Sequence, residues 1–116
     1  MSGIISLKIY HDLSNHDEFK AELHRIGGVY GFIHINEGEI KKKYIGSSKD
    51  LYQRFLDHLK GRDSNIRLQR AIEKHGIQNF KFAIYYIDND PNIRLTDIET
   101  AVIKNFPFEE LYNYFF

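Results

Sequence analysis

Residues 29–47 consist of an apolar run, a polar turn and a returning segment, a pattern that predicts a β-hairpin. Val29 to Ile35 is rich in β-branched and aromatic residues, which is typical of a strand. Residues 36–39 (Asn-Glu-Gly-Glu) supply turn-forming side chains. Ile40 to Ser47 then returns as the partner strand. We therefore expect two antiparallel strands joined by a short turn.

Helical spacing of apolar residues follows the hairpin twice. After a cap at Ser47 or Ser48, with Asp50 near the positive end of the helix, one helix is predicted to end at Gly61. Ser64 or Asn65 caps a second helix, which Gly76 stops. The residues expected to face the core are Leu51, Tyr52, Phe55, Leu56 and Leu59 in the first helix and Leu68, Ala71 and Ile72 in the second.

The remaining elements flank this centre. Asn79 to Ile87 reads as a third strand, and Asp90-Pro91 predicts the start of a helix that runs to about Asn105. At the other end, residues 4–10 form a possible strand. Ser14 or Asn15 can cap a short helix to about Arg25, with Phe19 and Leu23 on one face. The predicted class is α+β: a small, mainly antiparallel three-stranded sheet flanked by helices, with a possible N-terminal strand and helix as an extension.

Length and composition indicate one folded intracellular domain. The chain has 116 residues, with 17 aromatic side chains and no cysteine, which excludes disulfides and thiolate metal sites. No apolar stretch approaches the roughly 20 residues of a membrane span, and the N-terminus lacks the apolar core of a signal peptide. We therefore expect no membrane association.

Charge is concentrated in the middle of the chain although its formal net charge is zero. Residues 41–75 hold 10 basic and 4 acidic side chains, whereas each flank holds 3 basic and 6 acidic ones. This asymmetry favours a local anion-binding face, although a solvated surface is the alternative. The candidate nucleic-acid contacts in this segment are Lys43, Gly46, Ser47, Lys49, Arg62, Arg67 and Arg70.

Arg54 and His58 are four residues apart, so on a helix they lie on one face. That face borders the apolar stripe and should follow the seam between helix and sheet. The pair could handle a phosphate, or it could be a surface arginine beside a partly packed histidine.

Glu99 falls within the apolar stripe predicted for the last helix, which contains Leu95, Ile98, Val102 and Phe106. An unpaired buried carboxylate costs several kcal/mol or becomes protonated. We therefore expect a cation beside Glu99, either a basic side chain in a salt bridge or a hard divalent metal ion.

Tyr30 and Tyr44 lie on adjacent strands of the hairpin. Their hydroxyls share one face only if the register permits, and two strand tyrosines are ordinary sheet residues by themselves. Gly46 is less ordinary, because glycine weakens a strand and often marks a close approach of backbone or ligand.

The order of several residues along the chain resembles the catalytic domain of the GIY-YIG nuclease family. These residues are Gly28-Val29-Tyr30, Tyr44-Ile45-Gly46, Arg54, His58, Glu99 and Asn113. Valine replaces the isoleucine of the first motif. The stretch 65–76 resembles the corresponding segment of intron-encoded homing endonucleases. The resemblance implies a nuclease domain over residues 28–116, with residues 1–27 as an N-terminal extension packed on it.

The resemblance also implies roles for the matching residues. Tyr30 would orient or deprotonate the attacking water, and Tyr44 would lie beside the scissile phosphate. Arg54 would stabilise the pentacovalent transition state, and His58 would assist proton transfer. Glu99 would be the single protein ligand of one divalent metal ion, with Mg²⁺ expected and Mn²⁺ able to substitute. Asn113 would support the site.

The implied function is metal-dependent hydrolysis of phosphodiester bonds in DNA by a homing-type endonuclease. Homing members carry a DNA-binding region after the nuclease domain, and this chain ends at Phe116. We therefore expect that a separate DNA-targeting domain is missing, that a partner protein supplies this function, or that sequence specificity is low. The alternatives are a structure-specific repair or recombination nuclease that acts with a partner, and an inactive nucleic-acid-binding domain of the same fold.

Overall fold

A computed structural model describes residues 7–14, 17–62 and 64–113 of the protein. The elements follow the predicted order, with helices on both sides of a sheet. They are β1 (Lys8–Tyr10), α1 (Asp17–Leu23), β2 (Gly28–Asn36), β3 (Glu39–Ser48), α2 (Leu51–Lys60), α3 (Ile66–His75), β4 (Phe80–Ile87) and α4 (Leu95–Ile103), with 3₁₀ turns at Ile77–Asn79 and Phe108–Glu110. In this part of the chain no helix has the length and apolarity to cross a membrane.

The sheet has four strands in the order β1-β4-β2-β3, and every pairing is antiparallel. The expected α+β class and antiparallel sheet are confirmed, but the number of three strands is wrong. The possible N-terminal strand belongs to the sheet, because Lys8–Tyr10 pairs with residues 82–84 of β4. This pairing occupies an edge of β4 that would otherwise present unpaired backbone groups. Residues 4–6 of the predicted strand lie outside the described residues.

The core lies on both faces of the sheet, which explains why β2 is buried along most of its length. Helices α1, α2 and α3 cover one face, where aromatic rings interlock at centroid distances of about 5–6 Å. Such aromatic pairs contribute about 0.5–1.5 kcal/mol each beyond their buried area. Helix α4 covers the other face with Val102, which packs against Val29 and Ile45. The aromatic residues of the first face include Phe19, Phe32, Phe55 and Phe82.

Two of the predicted helix starts are wrong, and local hydrogen bonds explain both. Asp50 caps α2, accepting from the backbone N–H of Gln53 at 3.0 Å, whereas the Ser48 hydroxyl is used in a turn with the backbone of Asp50. Asp90 and Pro91 form a turn instead of starting α4, because the Asp90 carboxylate accepts from the Asn92 N–H. Helix α4 begins only at Leu95. The predicted Asn65 cap of α3 is confirmed.

The outer edge of β3 is covered by the segment that follows α4. The Tyr112 N–H donates to the Lys43 carbonyl at 2.7 Å, and Leu111 forms an isolated parallel bridge with Lys43. The Asn113 side chain then accepts from the Ile45 N–H at 3.0 Å and donates to the Ile45 carbonyl at 2.8 Å. A side-chain amide here reproduces the pairing of a fifth strand for one residue.

Replacing Asn113 with alanine should therefore destabilise the domain. Asn113→Ala leaves two backbone groups of the buried Ile45 unpaired, and each unsatisfied buried group costs about 1–3 kcal/mol. We expect a loss of about 2 kcal/mol or more in the free energy of unfolding, measured by urea denaturation. The control is Asn105→Ala, which removes an exposed bond to the Ala101 carbonyl. Equal losses in the two variants would contradict the structural role of Asn113.

Candidate active site

Tyr30 and Tyr44 lie on the same face of the hairpin but are not directly opposite. Tyr30 pairs with Gly46, and Phe32 pairs with Tyr44. Because side chains alternate between faces with a period of two, Tyr30 and Tyr44 are diagonal neighbours on one face. Their ring centroids are 6.4 Å apart. The register that the sequence left open therefore brings both phenols to the same side of the sheet.

Gly46 provides the space that the Tyr30 ring occupies. A Cβ atom at position 46 would lie 2.5 Å from the Tyr30 hydroxyl oxygen and 2.6 Å from its Cζ atom, well inside van der Waals contact. The close approach expected at this strand glycine is thus made by a side chain from the neighbouring strand. Any other residue at position 46 would displace Tyr30.

His58 projects from α2 into the protein and is completely buried. Its Nε2 atom lies 2.6 Å from the Tyr30 hydroxyl, and its Nδ1 atom lies 2.6 Å from the Ser64 hydroxyl. Burial lowers the pKa of His58 to about 3, and the nearby positive charge of Arg54 acts in the same direction. The imidazole is therefore neutral at physiological pH, with one N–H and one acceptor nitrogen.

Gln69 extends this hydrogen-bond chain. Its amide nitrogen donates to the His58 carbonyl, which can only accept, and to the Ser64 hydroxyl oxygen at 2.7 Å. We assign the His58 proton to Nδ1, where it is donated to the Ser64 oxygen, because Arg54 can only donate to Tyr30 and the phenol proton needs an acceptor. The Tyr30 hydroxyl then donates to His58 Nε2.

Arg54 lies beside both tyrosines, with its guanidinium within hydrogen-bonding reach of the two hydroxyls. Burial raises the pKa of Tyr30 and of Tyr44, and the charge of Arg54 partly opposes this rise. Arg54 also lies 3.8 Å from the Asp57 carboxylate and donates to the Arg62 carbonyl at 3.4 Å. The Arg54–His58 pair thus faces the seam between helix and sheet as predicted.

Glu99 reaches the same place from the opposite face of the sheet, where α4 packs. The Ser47 hydroxyl donates to its Oε1 atom at 2.6 Å. The negative charge of Glu99 contributes to the raised pKa of both Tyr30 and Tyr44, which places the carboxylate close to the phenol pair. The site is therefore assembled around the end of β3, where residues from the two faces can meet.

The surroundings of Glu99 differ from the sequence-based expectation in two respects. Glu99 is half-buried, as are Leu95 and Ile98, so the stripe on α4 is shallower than its apolar pattern indicated. Within the described ranges Glu99 has no ion pair, and its contact is a neutral serine. Its Oε2 atom receives no hydrogen bond from residues 7–14, 17–62 or 64–113. The salt-bridge alternative is therefore not supported.

The donor set around Glu99 is suited to a sparsely ligated hard cation. The described residues contain no group of three or more His, Asp or Glu side chains that could enclose a metal ion. A carboxylate oxygen that is half-exposed can still serve as the one protein ligand of a magnesium ion that retains waters and takes a substrate phosphate. Glu99 fits that kind of coordination.

Comparison with known proteins identifies the family of this chain. Residues 26–113 match the GIY-YIG catalytic domain. The chain belongs to the GIY-YIG family. It is 41% identical over 113 residues to "Probable intron-encoded endonuclease 1" of Neurospora crassa. That alignment covers 90% of this chain but only 36% of the relative, so this chain spans about a third of the longer protein. No solved structure matches the chain.

Of the remaining residues proposed from sequence, some lie near this GIY-YIG site. Ser47 contacts Glu99, and Lys49 is exposed on the wall of a neighbouring cavity of about 560 Å³ that also contains Ser47. Arg67 donates to the Asn113 carbonyl at 3.1 Å. Asn113 holds the backbone of Ile45, which lies between Tyr44 and Gly46, so its predicted supporting position agrees with the geometry.

Three other basic residues proposed from sequence have different surroundings. Arg62 is exposed and forms two hydrogen bonds with Asp57. Arg70 lines a separate basic pocket on α3. Lys43 is buried, with its ammonium 4.2 Å from the centre of the Phe106 ring and 3.7 Å from Glu110. Its position argues against direct contact with nucleic acid, because Lys43 lies on the face that α4 covers.

Ser64 and Gln69 are members of the site that sequence reasoning did not assign. Ser64 was considered only as a helix cap, and Asn65 takes that position instead. No pattern in the sequence marks Gln69. A polar residue on α3, five residues after a serine, has many possible orientations, and only the packing of α3 beside α2 brings both side chains to His58.

The buried neutral His58 predicts a particular pH dependence of stability. The unfolded chain binds a proton at His58 below a pKa of about 6.5, whereas the folded protein binds it only near 3. The free energy of unfolding should therefore fall as pH decreases below 6.5, with a contribution approaching about 1.4 kcal/mol per pH unit. His58→Gln should remove this contribution, as measured by urea denaturation at pH 5.0–7.5. Exposed His24→Gln is the control, and identical pH slopes for wild type and His58→Gln would contradict the prediction.

Proposed function

We propose that this domain is the catalytic unit of a metal-dependent DNA endonuclease of the homing type. The observation that carries the proposal is that the Tyr30 hydroxyl lies 2.6 Å from His58 Nε2 and beside the Arg54 guanidinium, while Glu99 approaches from across the β3 edge. The name of the Neurospora crassa relative, an intron-encoded endonuclease, supports the same reaction for this chain.

Tyr30 is suited to orient the attacking water and accept its proton. Arg54 donates to the phenol oxygen, and its positive charge favours ionisation of Tyr30. Burial opposes ionisation and dominates in the free protein, so Tyr30 is a phenol at rest. His58 holds the phenol through a bond that is itself positioned by Ser64 and Gln69. In this proposal Tyr30 gives its own proton to His58 Nε2 as it takes one from the attacking water, so the transfer depends on the ordered chain behind it.

Arg54 and Tyr44 are suited to hold the scissile phosphate. A guanidinium presents a planar fork of N–H donors that matches two phosphate oxygens. Its charge stabilises the additional negative charge that develops in the transition state, in a place that already excludes much of the solvent. Tyr44, partly exposed beside it, offers a hydroxyl donor to the same phosphate.

Glu99 would hold one divalent metal ion, with Mg²⁺ as the expected ion and Mn²⁺ as a substitute. When bound, such an ion neutralises charge on the phosphate and the leaving oxygen. Ser47 orients the carboxylate through its Oε1 atom and leaves the other oxygen for coordination. The rest of the coordination shell would come from water and substrate.

The inactive-binder alternative predicts no need for this set of residues. A domain that only binds nucleic acid gains nothing from a half-buried carboxylate beside the phosphate position, because a carboxylate repels phosphate. A repair or recombination nuclease would share the chemistry proposed here and differ in its DNA substrate. A nicking assay on plasmid DNA, with and without Mg²⁺, tests catalysis directly and would give no nicked product for an inactive binder.

Glu99→Gln should abolish metal-dependent nicking without unfolding the domain. The amide keeps the shape of the side chain and can still accept from Ser47, but it loses the charge that holds a hard cation. The matched control is Asp97→Asn, an exposed neutralisation in the first turn of the same helix, which should retain activity. Retained nicking by Glu99→Gln in Mg²⁺, with normal circular dichroism, would exclude Glu99 as the metal ligand.

Arg54→Ala should lower the cleavage rate at saturating DNA by about 10²-fold or more, the scale expected for losing one such transition-state donor. Arg54→Lys should restore little, because an ammonium lacks the planar fork. Arg62→Ala provides the comparison, since Arg62 is exposed and should affect DNA affinity more than turnover. Single-turnover kinetics separate the two effects. Near-normal turnover with weaker binding in Arg54→Ala would assign Arg54 to attraction of the DNA backbone.

A further inference from the structure

A second concave surface lies at the hairpin end of the sheet, away from the Tyr30–Glu99 site. It is a cavity of about 350 Å³ between β2, β3 and α3, closed on one side by Tyr112. Among its described lining residues there is no carboxylate. The side chains that matter here are His34, Lys42, Arg70, Lys74, His75 and Tyr112.

Three of these side chains carry positive charge that no acidic group offsets. Within residues 7–14, 17–62 and 64–113, Lys42, Arg70 and Lys74 form no ion pair. Lys41, at the edge of the cavity, is bound to Glu39 at 3.0 Å and is therefore compensated. A concave surface with three uncompensated cations concentrates a positive potential, in a protein with no formal net charge.

The floor of the cavity is fixed by packed rings. The His34 ring stacks on Phe80 at a centroid distance of 4.9 Å and lies 4.3 Å from the His75 ring. Its Nδ1 atom is hydrogen-bonded to the Tyr112 hydroxyl at 3.0 Å. Burial lowers the pKa of His34, and the neighbouring His75 and Lys41 lower it further. The buried imidazole therefore contributes a rigid polar floor, and the surrounding lysine and arginine side chains contribute the charge.

The cavity is aligned with the candidate active site along the strands. His34 is four residues from Tyr30 on the same face of β2, and Lys42 is two residues from Tyr44 on the same face of β3. At about 3.4 Å per residue these separations are about 14 Å and 7 Å. Arg67, Arg70 and Lys74 lie on one face of α3. Arg67 contacts Asn113 near the active site, so this row of cations leads from the site to the cavity.

We propose that this pocket binds a backbone phosphate of the DNA substrate at a position displaced along the duplex from the phosphate at Tyr30 and Tyr44. The inference rests on the proposed function, which supplies DNA as the polyanion. Phosphates recur every 3.4 Å of helix axis on each strand, so a separation of about 7–14 Å falls within a few nucleotides of the cleavage position. The pocket would set the register of the backbone, because phosphate contacts position a protein without reading sequence.

The test is DNA binding by the full chain without divalent metal, so that cleavage does not interfere. The variant is Lys42→Gln with Lys74→Gln, which keeps the length of both stems. The matched control is Lys20→Gln with Lys104→Gln, which removes the same charge from exposed positions on α1 and after α4. Affinity for one duplex is measured at several salt concentrations. The logarithm of the binding constant falls with the logarithm of salt concentration by about 0.9 per phosphate neutralised.

The pocket variant should bind more weakly and show a slope reduced by about one phosphate contact, while the control keeps the wild-type slope. Oligonucleotides with single neutral methylphosphonates should then weaken wild-type binding at one position near the cleavage site. That same substitution should have little further effect on the pocket variant. Equal slopes in the two variants, or a methylphosphonate effect that persists unchanged in the pocket variant, would overturn the proposal.

Two further outcomes separate the pocket from the catalytic proposal. If wild type does not nick plasmid in Mg²⁺ but the slope still depends on Lys42 and Lys74, the pocket is supported and the nuclease proposal fails. If wild type nicks plasmid and the pocket variant keeps the wild-type salt dependence of binding, only the pocket proposal fails. A third experiment tests whether the pocket binds free phosphate instead of a DNA phosphate. Inorganic phosphate is added to the protein while the NMR signals of the His34 and His75 rings are followed. Saturation at submillimolar phosphate with no response to DNA would replace the proposal with a free-anion site.

Discussion

The buried hydrogen bond between Tyr30 and His58 constrains most of what surrounds it. Two polar groups that are almost completely excluded from water must satisfy each other, because an unpaired buried group costs about 1–3 kcal/mol. The bond needs a strand residue without a side chain at position 46 and a helix that starts at the right distance after β3. It also needs a partner for the second ring nitrogen, which Ser64 supplies with support from Gln69. Tyr30 and His58 therefore belong both to the candidate active site and to the buried core.

Much of this arrangement was predictable from sequence, because it follows from local periodicity. The hairpin, the two helices after it and the strand at residues 80–87 follow from patterns with periods of 2 and 3.6. The pairing of Arg54 with His58 on one helix face is also local. The starts of α2 and α4 were misplaced because Ser48 and Asp90 satisfy turns with the same groups that could cap a helix. Sequence alone does not show which of two competing local hydrogen bonds forms.

The parts that were not predictable depend on register and on contacts between distant elements. The diagonal relation of Tyr30 and Tyr44 is set by the pairing of the strands, which the turn composition does not fix. The half-buried position of Glu99 depends on how closely α4 packs on the sheet. An apolar stripe predicts which face of the helix turns to the sheet but not how deeply its residues are buried. Ser64 and Gln69 became visible only once α3 was placed beside α2. The family resemblance identifies residue types and their order. The hydrogen-bond chain depends on contacts between β2, α2 and α3, which the sequence does not show.

The position of the site at the end of an edge strand has a physical reason. Residues from the two faces of a sheet can approach each other only where the sheet ends, and β3 is its outermost strand on that side. An open edge, however, exposes backbone groups that can pair with other chains. Here Tyr112 and Asn113 cover residues 43 and 45, and in the described part of the chain no backbone bond reaches the outer edge beyond Ile45. The short uncovered stretch at Gly46 and Ser47 is where Tyr30 and Glu99 come together. The edge is thus covered at Lys43 and Ile45, where pairing stabilises the fold, and uncovered at the candidate active site.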